Sequence, residues 1–347
     1  MGGNAHMKRI VLRRRPVGEP APADFALEEL PRPRPGAGEV LVRTLWLSID
    51  PYMRGRLSDA PSYTAPVGLG EPIHGECAGV VLESRAEGFA PGDRVVGMGG
   101  WQDHFVLPAA RLRRVAERDL PLSFQLGVLG MPGHTAYAAL FGVARPEPGE
   151  TVLVPAAAGA VGAVAGQLAR EHGCRVVGVA GGPDKCRYVV EELGFDACVD
   201  RRAPDFAARL RAACPEGVDV YLELVGGEVS WTALELCNLH ARIPVVGGIA
   251  WYNLAAPPEG PDRVPRLMRT VLVRRLRLEG FLVWDWDHLE RPFRTRVGGL
   301  LRAGRLRYRE HVYEGLERAP RALIDLLAGR TFGKVLVRVH PEPAADA

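Results

Sequence analysis

The sequence predicts an α/β protein of two domains, a β-rich N-terminal half followed by a doubly wound parallel sheet. Three observations carry this. At 347 residues the chain exceeds what one hydrophobic core usually holds. Its first third is a series of short apolar runs punctuated by Gly and Pro, and from Ser123 onward strand patterns alternate with helical ones. The expected divisions are 8–122 for the β-rich domain, 123–286 for the parallel-sheet domain, and 287–340 for a C-terminal segment returning to the first.

In the first domain the candidate strands are Arg9–Leu12, Glu39–Arg43, Ala78–Glu83 and Arg94–Gly97, with Pro91-Gly-Asp93 as a turn signal. Between them runs the loop Leu47–Arg56, which puts Tyr52 and Arg54 beside a Pro and a Gly and reads as a substrate wall. A helix is expected over Leu126–Leu140, interrupted at Met131-Pro-Gly133.

The second domain is organised around Thr151–Lys185. Thr151–Val154 is an apolar run fit for a buried strand, and Ala156-Ala-Ala-Gly159-Ala-Val-Gly162 follows it directly. Val161, Val164, Ala165, Leu168 and Ala169 then repeat at helical spacing, His172-Gly173 supplies a stop, and Cys174–Val179 returns to strand pattern. A tight turn of small residues between buried strand and helix lets backbone N–H groups approach a pyrophosphate at the helix N-terminus. The motif therefore predicts a Rossmann-type dinucleotide site, although Ala156 stands where the commoner fingerprint has its first glycine.

The end of the second strand predicts which dinucleotide. NAD sites usually place Asp or Glu there for the ribose 2′-OH. Here Val179-Ala-Gly-Gly-Pro-Asp-Lys185 offers no carboxylate at the strand tip and a lysine in the following turn. The chain has 41 arginines but only Lys8, Lys185 and Lys334, so a lysine here suggests a compact point charge for a 2′-phosphate. Downstream, Gly217–Leu224, Ala241–Gly247 and Glu279–Val283 read as further strands or strand ends, with Val225-Gly-Gly227 and Gly247–Asn253 at the ligand-binding edge. An Arg-rich helix after Asp287, an amphipathic segment at Ala319–Ala328 and a last strand Lys334–Val339 close the chain.

Composition excludes several classes. Lys plus Arg number 44 against 41 Asp plus Glu, a net charge of +3 without a basic block, which does not suggest nucleic-acid binding. No apolar run approaches a membrane span and no signal peptide opens the chain, so a cytoplasmic protein is expected. Six cysteines without a C-x-x-C pair read as reduced, mostly structural thiols. Met1–His6 reads as a flexible leader, with Met7 as the natural start.

Taken together, these residues resemble the medium-chain dehydrogenase/reductases, in the zinc-free branch of prostaglandin reductases, leukotriene 12-hydroxydehydrogenase and bacterial NADPH-dependent curcumin reductases. The likeness spans about Ile10 to Val339. It is carried by Ser48-Ile-Asp-Pro-Tyr-Met-Arg-Gly-Arg56, Met131-Pro-Gly-His-Thr-Ala-Tyr137, Ala158-Gly-Ala-Val-Gly162, Lys185-Cys-Arg through Glu192-Leu-Gly-Phe-Asp196, and Trp251-Tyr-Asn253. It implies a GroES-like β-domain around a Rossmann domain that holds NADP(H), and a homodimer. By motif position Gly159, Ala160, Val161 and Gly162 would hold the pyrophosphate and Lys185 the 2′-phosphate. Val246, Gly247, Gly248, Ile249, Ala250, Trp251 and Tyr252, with Phe281, Leu282 and Val283, would line the nicotinamide side. Three positions depart from the pattern: Arg201 replaces a Tyr beside the 2′-phosphate, and Leu224 and Thr331 replace Asn residues at the cofactor.

The same resemblance bears on chemistry. Metal-dependent relatives use a Cys near the start of the β-domain and a Gly-His-Glu, whereas here Ser48 occupies the loop and the order is His74-Gly-Glu76, so no metal site is expected. Without a metal, reducing a simple carbonyl would need a strong replacement acid. A conjugated enone asks less, because hydride added to the β-carbon leaves an enolate that hydrogen bonds stabilise. Tyr252 is the leading donor and Tyr52 the second, and either could orient a water that protonates the α-carbon. The substrate expected is a small apolar enone, with Trp101, Trp251, Trp284, Trp286 and Tyr63 as candidate pocket walls. An NADPH:quinone reductase and a weakly catalytic NADPH-binding protein are the alternatives.

Overall fold

The structure, a computed structural model, describes residues 6–256 and 260–342. It divides into two compact units, one of residues 1–127 and 310–347, the other of residues 128–309.

The first unit is β-rich. Strand Glu39–Ile49 is its centre, paired antiparallel with Cys77–Ser84, His104–Pro108 and Lys334–Arg338. The last strand of the chain thus completes the first unit's sheet, and Glu310–Glu314 adds to it in parallel. A two-stranded ribbon, His6–Leu12 with Phe25–Pro31, lies apart from that sheet. The leader expected over the first residues lies outside the description for 1–5, but His6 and Met7 already belong to the ribbon and Met7 is buried. The core gathers Ile10, Leu12, Leu47, Met53 and Leu323, the last from helix Ala319–Leu327. Trp101 belongs here too, fully buried and stacked on Phe25 at 5.6 Å between centroids, so it is a core residue and no pocket wall.

Among its described residues the second unit holds six parallel strands: β1 Thr151–Pro155, β2 Arg175–Ala180, β3 Ala197–Asp200, β4 Val218–Tyr221, β5 Cys237–Val245 and β6 Arg277–Gly280. Their order, β3-β2-β1-β4-β5-β6, is that of a dinucleotide-binding sheet, with the switch point between β1 and β4. The helices are α1 Met131–Ala138, α2 Ala160–Glu171, α3 Pro183–Glu191, α4 Phe206–Ala213, α5 Gly227–Leu236, α6 Val264–Arg274 and α7 Glu290–Arg302.

Two differences from expectation have local causes. Pro132 does not interrupt a helix from Leu126; it sits in the first turn of α1, where a missing N–H costs nothing, and the preceding Leu122–Leu126 is a separate 3₁₀ turn. The chain was expected to leave the parallel-sheet domain near Asp287, but α7 packs into it first. Phe293 is buried, stacking on His134 at 5.4 Å and meeting Tyr137 of α1, so the division falls at Glu310. Among the described residues no helix is long and apolar enough to cross a membrane.

Candidate active site

The turn from β1 into α2 is the first component. Ala156 takes the left-handed conformation at φ 49°, the geometry that the commoner glycine adopts freely and that costs an alanine about 1 kcal/mol. Its carbonyl accepts the Gly159 N–H at 2.8 Å, and Gly159 caps α2. A Cβ on Gly162 would stand 2.5 Å from that same carbonyl and 3.0 Å from Cα of Ala157, so only glycine closes this turn. Gly166, one turn on, lies so close to the Phe195 ring that no larger residue fits, which seats α2 against the sheet. The first-turn N–H groups of Ala160, Val161 and Gly162 lack intrahelical acceptors by helix geometry and point where a pyrophosphate is favoured.

The second component lies at the ends of β2 and β3. Lys185 stands in the first turn of α3, half-buried. Arg201 and Arg202 follow β3, and their Nε atoms lie 3.4 and 3.5 Å from the position a Cβ on Gly181 would take. Burial first, then repulsion by Arg202 and Arg201, lowers the pKa of Lys185 from its ordinary value. An incoming phosphate dianion would relieve that repulsion. The nearby carboxylates are engaged elsewhere. Asp200 accepts the Gly182 and Arg202 backbone N–H groups at 2.8 and 2.9 Å, and Asp184 pairs with Arg187. Burial acts to raise the Asp200 pKa, but those N–H donors hold it below the usual range, so the carboxylate serves the turn as an anion.

The third component is a pair of interlocked loops after β4 and β5. Val246 and Gly247 donate to the Glu223 carbonyl at 2.9 and 3.1 Å, and Ala250 donates to that of Val225 at 2.9 Å. Glu223 is buried. Its carboxylate accepts the Val225 and Gly226 N–H groups at 3.0 and 2.9 Å and the Ser230 hydroxyl. The Trp251 indole lies across the backbones of Gly226 and Gly248; a Cβ on Gly226 would come within 2.6 Å of the ring. One face of the indole is therefore committed to the loop while the residue remains 48% exposed. The Tyr252 hydroxyl turns back to 3.2 Å from where a Cβ on Gly247 would be, which places it over the C-terminal edge of β5. Leu224 contributes its carbonyl, 3.5 Å from the Ile249 N–H. After β6, Phe281 donates to Val245 at 3.1 Å and its buried ring stacks on Trp286, with Leu282 and Val283 leading into the next turn. Trp286 thus packs within the fold, whereas Trp284 and Tyr63 are exposed.

The second unit therefore brings together all the predicted cofactor residues except Thr331, which is buried in the first unit with Tyr52. Tyr52 opens a short helix, Met53–Arg56, and the Arg56 guanidinium lies over its ring at 5.3 Å and over that of Tyr63 at 5.9 Å. Burial, then Asp50 and Glu76, push its pKa well up, so Tyr52 is a neutral donor at any working pH. Arg54 is not a substrate wall. Its buried guanidinium donates to the carbonyls of Pro16 and Gly18, tying the loop to the N-terminal segment. Ser48 is committed as well, accepting from Lys334 Nζ at 2.7 Å and donating to Asp50. Among the described residues no group of three or more His, Cys, Asp or Glu could hold a metal ion.

Two residues that the structure places in these turns, Arg202 and Glu223, stand outside the expectation from sequence. Arg202 was one step beyond the expected register, and the only signal was a second arginine in the Asp-Arg-Arg run. Glu223 reads as strand; a carboxylate just before a Val-Gly-Gly turn is the available clue.

Comparison with known proteins agrees with this layout. The model described as the N-terminal domain of oxidoreductase matches residues 8–115, and the one described as zinc-binding dehydrogenase matches residues 160–293. The NADPH-dependent curcumin reductase of Escherichia coli (strain K12) is 48% identical over 333 residues, 96% of each chain. The 2-alkenal reductase (NADP(+)-dependent) of Nicotiana tabacum is 39% identical over 341 residues, 96% of this chain and 98% of that one. The crystal structure of CurA from Vibrio vulnificus in complex with NADPH superposes with a TM-score of 0.94 at 43% identity, covering 96% of this chain and all of that one.

Proposed function

Since the chain belongs to the zinc-free medium-chain dehydrogenase/reductases, in the branch of curcumin, alkenal and prostaglandin reductases, we propose that it reduces the C=C bond of α,β-unsaturated aldehydes and ketones. The enzyme is an NADP(H)-dependent oxidoreductase. The observation that best supports enone reduction is the Tyr252 hydroxyl held at the sheet's C-terminal edge, where ligands of such sheets bind and a hydroxyl donor would serve a developing enolate. Bound NADPH supplies the hydride to the β-carbon. The protein's part is positional. The Gly159–Gly162 turn and the Lys185–Arg201–Arg202 cluster anchor the cofactor's phosphates, and the Val246–Tyr252 and Phe281–Val283 segments shape the nicotinamide side. Tyr252, with Tyr52 as the second candidate, donates to the developing oxyanion. Medium-chain 2-alkenals and 2-alkenones, with curcumin-like and 15-oxoprostaglandin-like enones, are the substrates to test. Exhaustive chelation should leave turnover unchanged, because Ser48 and the reordered His74-Gly-Glu76 do not rebuild a ligand set; turnover lost to chelation and restored by zinc would contradict this reading.

Cofactor choice follows from the cation cluster. Lys185→Ala should raise the KM for NADPH about tenfold, the worth of one charge-assisted bond, and leave that for NADH nearly unchanged. Equal loss with both cofactors would assign Lys185 to the fold.

The reading includes a cytoplasmic homodimer. β6 is a sheet edge, and beside it α6 directs Val264, Met268 and Leu272 into solvent at four-residue intervals while Leu267 and Val271 face its own core. Antiparallel pairing of β6 with a second copy, centred on Leu278, sets Arg277 opposite Glu279 of that copy. Light scattering should give twice 37.7 kDa, falling to the single mass in Met268→Asp/Leu272→Asp. A wild-type monomer would contradict it.

A further inference from the structure

We propose that Cys186 and Cys198 form an oxidisable dithiol beneath the 2′-phosphate cradle, and that closing their disulfide weakens NADPH binding while sparing NADH. Cys186 follows Lys185 on α3, and Cys198 lies on β3 two residues before Asp200. Both are half-buried free thiols, α3 packs directly on β3, and the two side chains meet across that seam closely enough for a thiol–thiol hydrogen bond. The pair therefore joins the two elements that build the cradle: the helix carrying Lys185, and the strand whose Asp200 holds the Gly182 and Arg202 backbone.

The other four cysteines make no such thiol–thiol hydrogen bond and behave as core residues. Burial raises all of them, Cys174 and Cys214 to about 11, Cys237 to about 12 and Cys77 further still. Cys186 goes the other way. The hydrogen bond from Cys198 favours its thiolate over the opposing effect of burial, and its place in the early turns of α3 adds the helix dipole. Cys198, correspondingly, keeps its proton. One sulfur is thus the nucleophile and the other the resolving thiol.

A peroxide supplies the oxidant. The Cys186 thiolate attacks one peroxide oxygen and breaks the O–O bond; the sulfur becomes a sulfenic acid, and the other oxygen takes a proton and leaves as water. The Cys198 sulfur then attacks the sulfenic sulfur, forming the S–S bond and expelling a second water that carries away the thiol proton. Two electrons have passed from the two thiols to the peroxide. Hydrogen-bonded sulfurs stand well beyond the bond length of about 2.05 Å, so closure draws α3 and β3 together and displaces Lys185 from its neighbours. Losing one charge-assisted contact to the phosphate weakens binding about tenfold. NADH has no 2′-phosphate to lose. The inference rests on the cofactor site and is independent of which substrate is reduced.

The test treats the reduced, cofactor-free enzyme with hydrogen peroxide, alkylates the remaining thiols, and maps the cysteines by peptide mass spectrometry. NADPH and NADH affinities are measured by fluorescence titration before and after. The expected result is a linked Cys186–Cys198 peptide and an NADPH Kd about tenfold higher, an unchanged NADH Kd, and full recovery with dithiothreitol. Cys198→Ser should show neither the link nor the loss, and Cys186→Ser gives the same comparison should that variant fold poorly. The proposal is overturned if the two thiols stay unlinked while Cys186 oxidises further. It is equally overturned if the link leaves NADPH affinity unchanged, if both cofactors lose equally, or if the loss persists in the serine variants.

Discussion

Replacing Tyr252 by phenylalanine should lower kcat about 10²-fold while the KM for an enone changes little. The expectation follows from timing. In the ground state the enone oxygen carries little charge; as hydride reaches the β-carbon that oxygen becomes an enolate, and a donor aimed at it is felt mainly in the transition state. The structure supports Tyr252 in this role because its hydroxyl is turned back over Gly247, fixed by a loop that Glu223, Trp251 and the Val246–Ala250 backbone hold in place. The phenylalanine keeps the ring and its packing, so the substitution removes the proton and little else. Steady-state kinetics with a 2-alkenone checks it. An unchanged kcat would reassign Tyr252 to packing and move the donor role to Tyr52, whose neutral hydroxyl is assured by burial and by Asp50 and Glu76.

The largest effect on stability should come from Lys334. Its side chain is 1% exposed, and it donates to Asp50 Oδ1 at 2.7 Å, Ser48 Oγ at 2.7 Å and the Ile49 carbonyl at 2.9 Å. All three ammonium hydrogens are used. Lys334→Met fills much of the same volume but leaves Asp50 as a buried charge without its cation, which costs about 3–5 kcal/mol. The urea midpoint should fall accordingly. Asp50→Asn together with Lys334→Met should recover a large part of the loss, because the penalty lies in the unpaired charge more than in the missing contact. A single variant within 1 kcal/mol of wild type, an ordinary surface value, would show that water reaches this pair.

Lys334 also marks how much could be read beforehand. Its rarity among 41 arginines is visible, and the strand it opens is legible from its apolar run, but that the strand delivers an ammonium to Ser48 and Asp50 depends on antiparallel register across 286 residues. The Gly159–Gly162 turn was legible for the opposite reason: strand, turn and helix are contiguous, and each glycine answers a local steric demand. Arg54 and Trp101 were misread because a polar or aromatic residue in a loop does not announce which way it faces. Arg54 turns inward to two carbonyls and Trp101 stacks in the core. Pro132 reads as a break in the sequence because helix starts and helix interruptions share the same residue, and only the 3₁₀ turn before it tells them apart.

The central claim is that hydride goes to the β-carbon of an enone and leaves the carbonyl intact. The direct measurement is product analysis after turnover of a 2-alkenone with NADPH bearing deuterium at the transferred position. The account predicts the saturated ketone with the label on the β-carbon. An allylic alcohol labelled at the carbinol carbon, or turnover confined to quinones, would contradict it.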